Sequence, residues 1–325
     1  MGRRLKYCSI AFLVQVGVWA VGAFASESAW RRQSSGTMTR LHAVYFLDER
    51  RGFVAGGNGV VLATEDGGAT WRAMRRPNDD AIRDLLFIGE RIGWMLVERN
   101  PYAQREGEPR SYFWRTEDGG KTWFHLNPVG IEAVTLTRLV FADEAHGWTF
   151  GEAGAIYATR DGGRSWVRQF APTRHLLLAG AGYDSQRAWI VGANSTALYT
   201  TDGGDTWQLG FVPETGVRLN GVSFLDERHG WAVGSGGRIF VTVNGGKVWR
   251  RQNSNTNADL FDVKFLSLRE GWAVGANGTV LHTTDGGETW LVVPSGTTYQ
   301  LERLCFAADR RGWAVGFGGT ILTYR

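Results

Sequence analysis

The 325-residue sequence is poor in the residues that staple or stiffen a chain, with two cysteines and seven prolines. Two cysteines cannot build a disulfide framework, and neither lies in a CxxC or a Cys/His cluster with metal-ligand spacing, which argues against structural zinc. With so little proline, the turns must come from another residue. Charge of one sign is scarce as well. The formal net charge is +4, but Arg3, Arg4 and Lys6 sit in the first 25 residues, and the remainder carries 33 basic against 32 acidic side chains. A near-neutral body argues against a nucleic-acid partner. No GxSxG, HExxH, Walker A or Rossmann fingerprint occurs. No catalytic residue, metal or cofactor is therefore expected.

The first 25 residues read as a secretory leader: a basic head, an apolar run from about Ser9 to Phe24, and Ala23-Phe24-Ala25 as a cleavage site before Ser26. The rival reading is an uncleaved anchor helix, because the apolar run approaches the roughly 17 residues that span a bilayer. Cys8 lies too early to be a lipid-attachment site at the cleavage point. The expected organisation is a leader over residues 1–25 and one exported domain over 26–325.

What the chain does have is 45 glycines, 15 tryptophans and an internal repeat. One motif recurs six times: TEDGGATW at Thr64, TEDGGKTW at Thr116, TRDGGRSW at Thr159, TTDGGDTW at Thr200, TVNGGKVW at Thr242 and TTDGGETW at Thr283. Successive tryptophans of these motifs are 52, 43, 41, 42 and 41 residues apart. A second motif, HGWAVGSGG at His229 or RGWAVGFGG at Arg311, occurs seven times. The ends resolve the mismatch. WRRQSSGTMTRLHAVYF at Trp30 parallels WRRQNSNTNADLFDVKF at Trp249, so the chain opens with the tail of a repeat whose front is its last copy. A period near 41 with short alternating segments predicts an all-β, seven-bladed β-propeller, closed by an N-terminal outer strand that completes the last blade. Asn58-Gly59 and Asn277-Gly278 suit hairpins whose two central residues need positive φ.

The DGG motif is an Asp-box, and its repetition argues for structure over catalysis. Every blade needs a turn in which an Asp accepts backbone N–H groups, whereas a catalytic carboxylate is needed once or twice. His146 and His229 occupy one repeated turn position and read as solvated. Asp84 and Asp262 hold equivalent inner-strand positions of blades 2 and 6, which are not neighbours, and make a poor glycosidase pair. The two tryptophan columns are expected between blades as core.

Function is sought where repetition fails. Trp94 to Thr116 spans 22 residues where sibling repeats span 11, which places an insertion in a hairpin of blade 2. Arg40, Arg83, Arg138, Arg174, Arg218 and Arg303 fall on the same face as that hairpin, near the starts of inner strands, opposite the Asp-boxes. The alternative is a solvated rim with interspersed acids. Arginine forks suit the carboxylates of a peptide, and Tyr102, Tyr112, Phe113 and Trp114 offer aromatic anchors. The candidate partner-binding residues are Arg99, Arg105, Arg110, Trp114, Arg138, Arg174, Arg218 and Arg303.

The pattern FxDxRxGWAVGxxGxxxxTxDGGxTW, in seven blades after an export signal, resembles the Ycf48-like photosystem II assembly factors and the wider group of BNR-type propellers. That resemblance covers nearly all of residues 30–325. It implies a non-catalytic, monomeric scaffold that holds a membrane-protein partner on the periplasmic side, or in the thylakoid lumen of a phototrophic host. The chain departs from cyanobacterial members in lacking a lipid-attachment cysteine and in its more regular Asp-boxes. The other reading kept open is a glycan-binding or sialidase-like glycoside hydrolase propeller, although the FRIP segment usual in sialidases is absent.

Overall fold

The computed structural model describes residues 29–325 apart from 76–77, 103–107, 127–128 and 308–309; the expected leader and Arg105 lie outside the described residues. The described strands form seven antiparallel four-stranded sheets. The inner strands are Leu41–Phe46, Ala81–Ile88, Leu136–Phe141, Leu177–Gly182, Leu219–Phe224, Leu260–Phe265 and Leu301–Phe306, here blades 1 to 7. Blade 7 is completed by Trp30–Gln33, which pairs with Ile321–Tyr324 in the register Trp30↔Tyr324 to Gln33↔Ile321. The split repeat thus closes the ring and leaves the seventh sheet no missing strand.

The repeat tryptophans stitch neighbouring blades. Trp94, Trp189, Trp231 and Trp313 stack on Phe141, Phe224, Phe265 and Phe46 of the following blade, with centroids 3.9, 3.7, 3.5 and 3.4 Å apart. Their indole N–H groups donate to the carbonyls of Gly162, Gly245, Gly286 and Gly67, each in the following Asp-box. The glycine before each tryptophan makes room for the phenylalanine of its own blade. A Cβ on Gly230 would lie 2.5 Å from the Phe224 ring, and one on Gly271 would lie 2.5 Å from Phe265. Blade 4 exchanges the two: Gly182 stands where siblings have Phe, and Ala188 where they have Gly. Trp71 and Trp123 are only half-buried, so those two members of the outer tryptophan column are less enclosed than the repeat predicts.

The Asp-boxes hold themselves. In blade 1, Asp66 Oδ1 accepts from the Thr64 hydroxyl at 2.8 Å and from the Thr70 N–H at 2.9 Å, while Oδ2 accepts the Thr70 hydroxyl at 2.6 Å. The Thr70, then Thr64, hydrogen bonds hold the Asp66 carboxyl down to about 2. In blade 5, Asn244 Oδ1 accepts from Thr242 and Val248 in the same way. An acceptor oxygen, not a charge, is what the turn requires. The hairpin glycine-asparagine positions also behave as read: Asn58 has φ 51° and Gly59 φ 62°, with Val60 N–H donating to Gly57 O.

Candidate functional site

Every inner strand carries an irregularity near its start, where the register skips one residue, the second of the strand in six blades and the third, Arg83, in blade 2. A bulge re-aims the extra side chain. Here the seven bulge residues are His42, Arg83, Thr137, Leu178, Asn220, Phe261 and Glu302. Six of them line one cavity of about 250 Å³ at the axis, together with Arg40, Arg138, Arg218, Gln300 and Arg303. This is the mouth of the central channel on the face of the inter-blade connections. Five guanidinium groups therefore converge on a space that holds one carboxylate of its own.

That carboxylate, Glu302, is tied down. It is paired with the Arg40 guanidinium, and its Oε2 lies 3.0 Å from His42 Nδ1. Burial opposes its ionisation, but the hydrogen bonds from His42 and Arg40 and the Arg40 charge outweigh it and hold the carboxyl below its usual range. His42 Nε2 lies 3.4 Å from Arg83 Nη1. An arginine can only donate, so Nε2 is the acceptor and the proton sits on Nδ1, facing Glu302. Arg83 also pairs with Glu98 at 2.5 Å, which ties the mouth to the stem of the blade 2 insertion.

Arg138 and Arg303 sit where the mouth opens into the channel, a space of about 580 Å³ that both also line. Arg138 donates to the carbonyls of Thr137 and Arg83 at 2.6 and 3.1 Å. Arg303 donates to the Glu302 carbonyl at 2.7 Å, while its buried Nη2 has no hydrogen-bond partner. Below them, Asp84 and Asp262 face the same channel from blades 2 and 6. Each carboxylate accepts the N–H of the next blade's inner strand, Leu139 at 3.0 Å and Leu304 at 2.9 Å. Burial raises both carboxyls, opposed for Asp84 by Arg138 and for Asp262 by Lys264. The channel thus joins two positions that a reading by adjacent blades keeps apart, and each carboxylate is occupied in joining blades.

The other candidates divide by location. Arg218 is exposed at the mouth and bonds Asn220 Oδ1 at 3.2 Å. Arg174 is exposed in the blade 3–4 connection and does not line the mouth. Arg99 turns into the insertion stem: its Nε donates to Pro109 O at 2.9 Å and its guanidinium lies 4.7 Å from the Tyr112 ring. Arg110 is exposed, 3.7 Å from Glu152 of blade 3. The aromatic anchors need correction. Tyr112 and Phe113 are 1% and 0% exposed, and Trp114 is half-buried in the seam with blade 1; Tyr102, at 98%, is the one of the four on the surface. Sequence reasoning missed His42 and Asn220 and left Glu302 among the acids of a solvated rim, although each follows the first buried leucine of an inner strand, which is the repeated position of the bulge. His146 and His229 each bond an Asp three residues earlier in their turns.

A family model, photosynthesis system II assembly factor YCF48, matches residues 121–212, 212–298 and 257–325. The chain belongs to the YCF48 family. The Photosystem II assembly lipoprotein Ycf48 of Synechococcus sp. strain CC9902 is 30% identical over 149 residues, 44% of this chain and 40% of that protein. The match thus spans well under two thirds of that relative's length. A solved structure of YCF48 bound to D1 peptide has a TM-score of 0.75 and 21% identity, over 92% of this chain and 96% of the other. YCF48 from Cyanidioschyzon merolae has a TM-score of 0.74 and 21% identity, over 92% and 99%. At that identity these YCF48 structures show a shared fold.

Proposed function

We propose that this chain is an exported, non-catalytic scaffold that holds a peptide segment of a membrane-protein partner, as the assembly role of the YCF48 family suggests. The observation that carries this reading is the convergence of Arg40, Arg83, Arg138, Arg218 and Arg303 on one axial cavity. Guanidinium forks in a concave, partly desolvated site bind carboxylates more strongly than the same groups spread over a rim. A peptide bearing acidic side chains or a free carboxylate is the complementary ligand. The family supplies its source: one relative is named for photosystem II assembly, and one YCF48 structure holds a D1 peptide. Nothing in this role requires a bond to be made or broken. Arg99, Arg110 and Arg174, on the same face, extend the electrostatic field around the mouth.

The test is capture of the partner from host membranes by the wild-type chain and by the Arg40→Glu/Arg218→Glu variant, alongside assays on sialosides and other glycans. Capture by wild type alone, without turnover, supports the scaffold. Glycan turnover by wild type would instead establish the hydrolase reading.

A further inference from the structure

The seam between blades 1 and 2 is packed differently from the four seams closed by a tryptophan on a phenylalanine. Phe53 holds the tryptophan position here, with its ring 5.3 Å from Phe87, and it has no N–H to give an Asp-box carbonyl. The outer tryptophan of blade 2, Trp123, is half-buried, whereas Trp166, Trp207, Trp249 and Trp290 are at most 5% exposed. Beside it opens a cavity of about 500 Å³, walled by Met74, Ile82, Met95, Val97, Trp114 and Trp123. That volume lies within the roughly 300–1,000 Å³ of small-ligand sites.

One end of this cavity is polar. Asn78 and Asp80 line it, and Asn78 Nδ2 donates to the Tyr112 hydroxyl at 2.7 Å. The Tyr112 hydroxyl donates to Asp80 Oδ2 at 2.8 Å, and the Asn100 N–H donates to Asp80 Oδ1 at 2.9 Å. An ionised carboxylate offers about four acceptor sites, so Asp80 has room for another donor. Arg75 and Lys121, both exposed, stand at the rim and disfavour a cationic donor. What remains is a neutral N–H or O–H on an apolar body.

We propose that the blade 1–2 seam is a binding site for one aromatic ring carrying a neutral hydrogen-bond donor, an indole or a phenol. The ring packs against the indoles of Trp114 and Trp123 and the thioethers of Met74 and Met95, contacts that favour an aromatic over an aliphatic guest. Its N–H or O–H donates to Asp80. The site stands apart from the arginine mouth, although Ile82 in its wall and Arg83 in the mouth are consecutive residues of one strand.

Methionine-methyl NMR of the full chain reads this directly, because Met74 and Met95 line the cavity and Met38, 75% exposed, does not. Titration with indole should shift the Met74 and Met95 methyls saturably and leave Met38 still. Indole should bind about tenfold more tightly than 1-methylindole, which lacks the donor, and Asp80→Ala should abolish that difference. N-acetyl-tryptophanamide binding as tightly as indole marks a peptide side chain as the natural guest; binding of free indole alone marks a small molecule. No saturable shift at Met74 or Met95, an equal shift at Met38, or equal affinity for indole and 1-methylindole would overturn the proposal.

Discussion

Trp30 and Tyr324 are partners across the ring closure: they face each other in register, with ring centroids 5.5 Å apart. Trp30 also meets Trp272 of blade 6 edge-on at 5.7 Å and is 2% exposed. Trp30→Ala should therefore destabilise the fold by about 3–5 kcal/mol, as large-to-small core changes do. A chain starting at Leu41 should lose more, because Ile321–Tyr324 becomes a bare edge. Denaturant melts of both variants check this, and wild-type stability in both would contradict the closure.

The Phe/Gly pairing, present in every blade but the fourth, gives a second prediction. Gly230→Ala forces a methyl into the Phe224 ring and should cost about 1–3 kcal/mol. Ala188→Gly, in the blade where Gly182 leaves that space open, should cost only the strand-glycine penalty of about 0.5–1 kcal/mol. Urea unfolding of the two variants should rank them in that order.

The ring, its split blade and the self-contained Asp-boxes were legible in the sequence because each is repeated, and repetition separates a structural requirement from a local accident. Asn244 in the blade 5 box fits that reading, because its amide oxygen accepts from Thr242 and Val248 as an Asp oxygen does. The face bearing the arginines was legible too. Which of them converge was not. That depends on a one-residue bulge in each inner strand, which turns Arg83 and Glu302 to the axis while Arg174 stays in a connection. Tyr112 and Phe113 misled because the insertion flanks them: the strand Ser111–Thr116 starts before both, and its alternation buries them on its two faces.

The Asp-boxes predict an acid dependence. Asp66 and Asp118 titrate near 2 when folded, below the unfolded value of about 4. Their contribution is therefore complete above about pH 4 and is lost as pH falls toward 2. Asp66 is exposed and Asp118 only half-buried, so each contributes little alone. Thermal melts between about pH 2 and 5 should show Tm rising with pH, and Asp66→Asn, which keeps the acceptor oxygen, should flatten part of that slope. An unchanged slope would contradict the turn's role.

The small residues at Ala23 and Ala25 predict cleavage of a leader before Ser26. Intact-mass measurement on protein from the native host should find an N-terminus at Ser26. A full-length species retained in the membrane would establish the anchor instead.

The central claim is that the arginine mouth, and not the wider rim, holds the partner. Arg40 and Arg218 are exposed mouth residues, and Arg174 is an exposed arginine of the same face outside it. The most direct measurement is the affinity of the captured partner's acidic peptide for the wild type, Arg40→Glu/Arg218→Glu and Arg174→Glu, with folding checked by circular dichroism. The account predicts at least a tenfold loss for the mouth variant, a small change for Arg174→Glu, and weakening with salt. Wild-type affinity in the folded mouth variant, or a larger loss in Arg174→Glu, would contradict it.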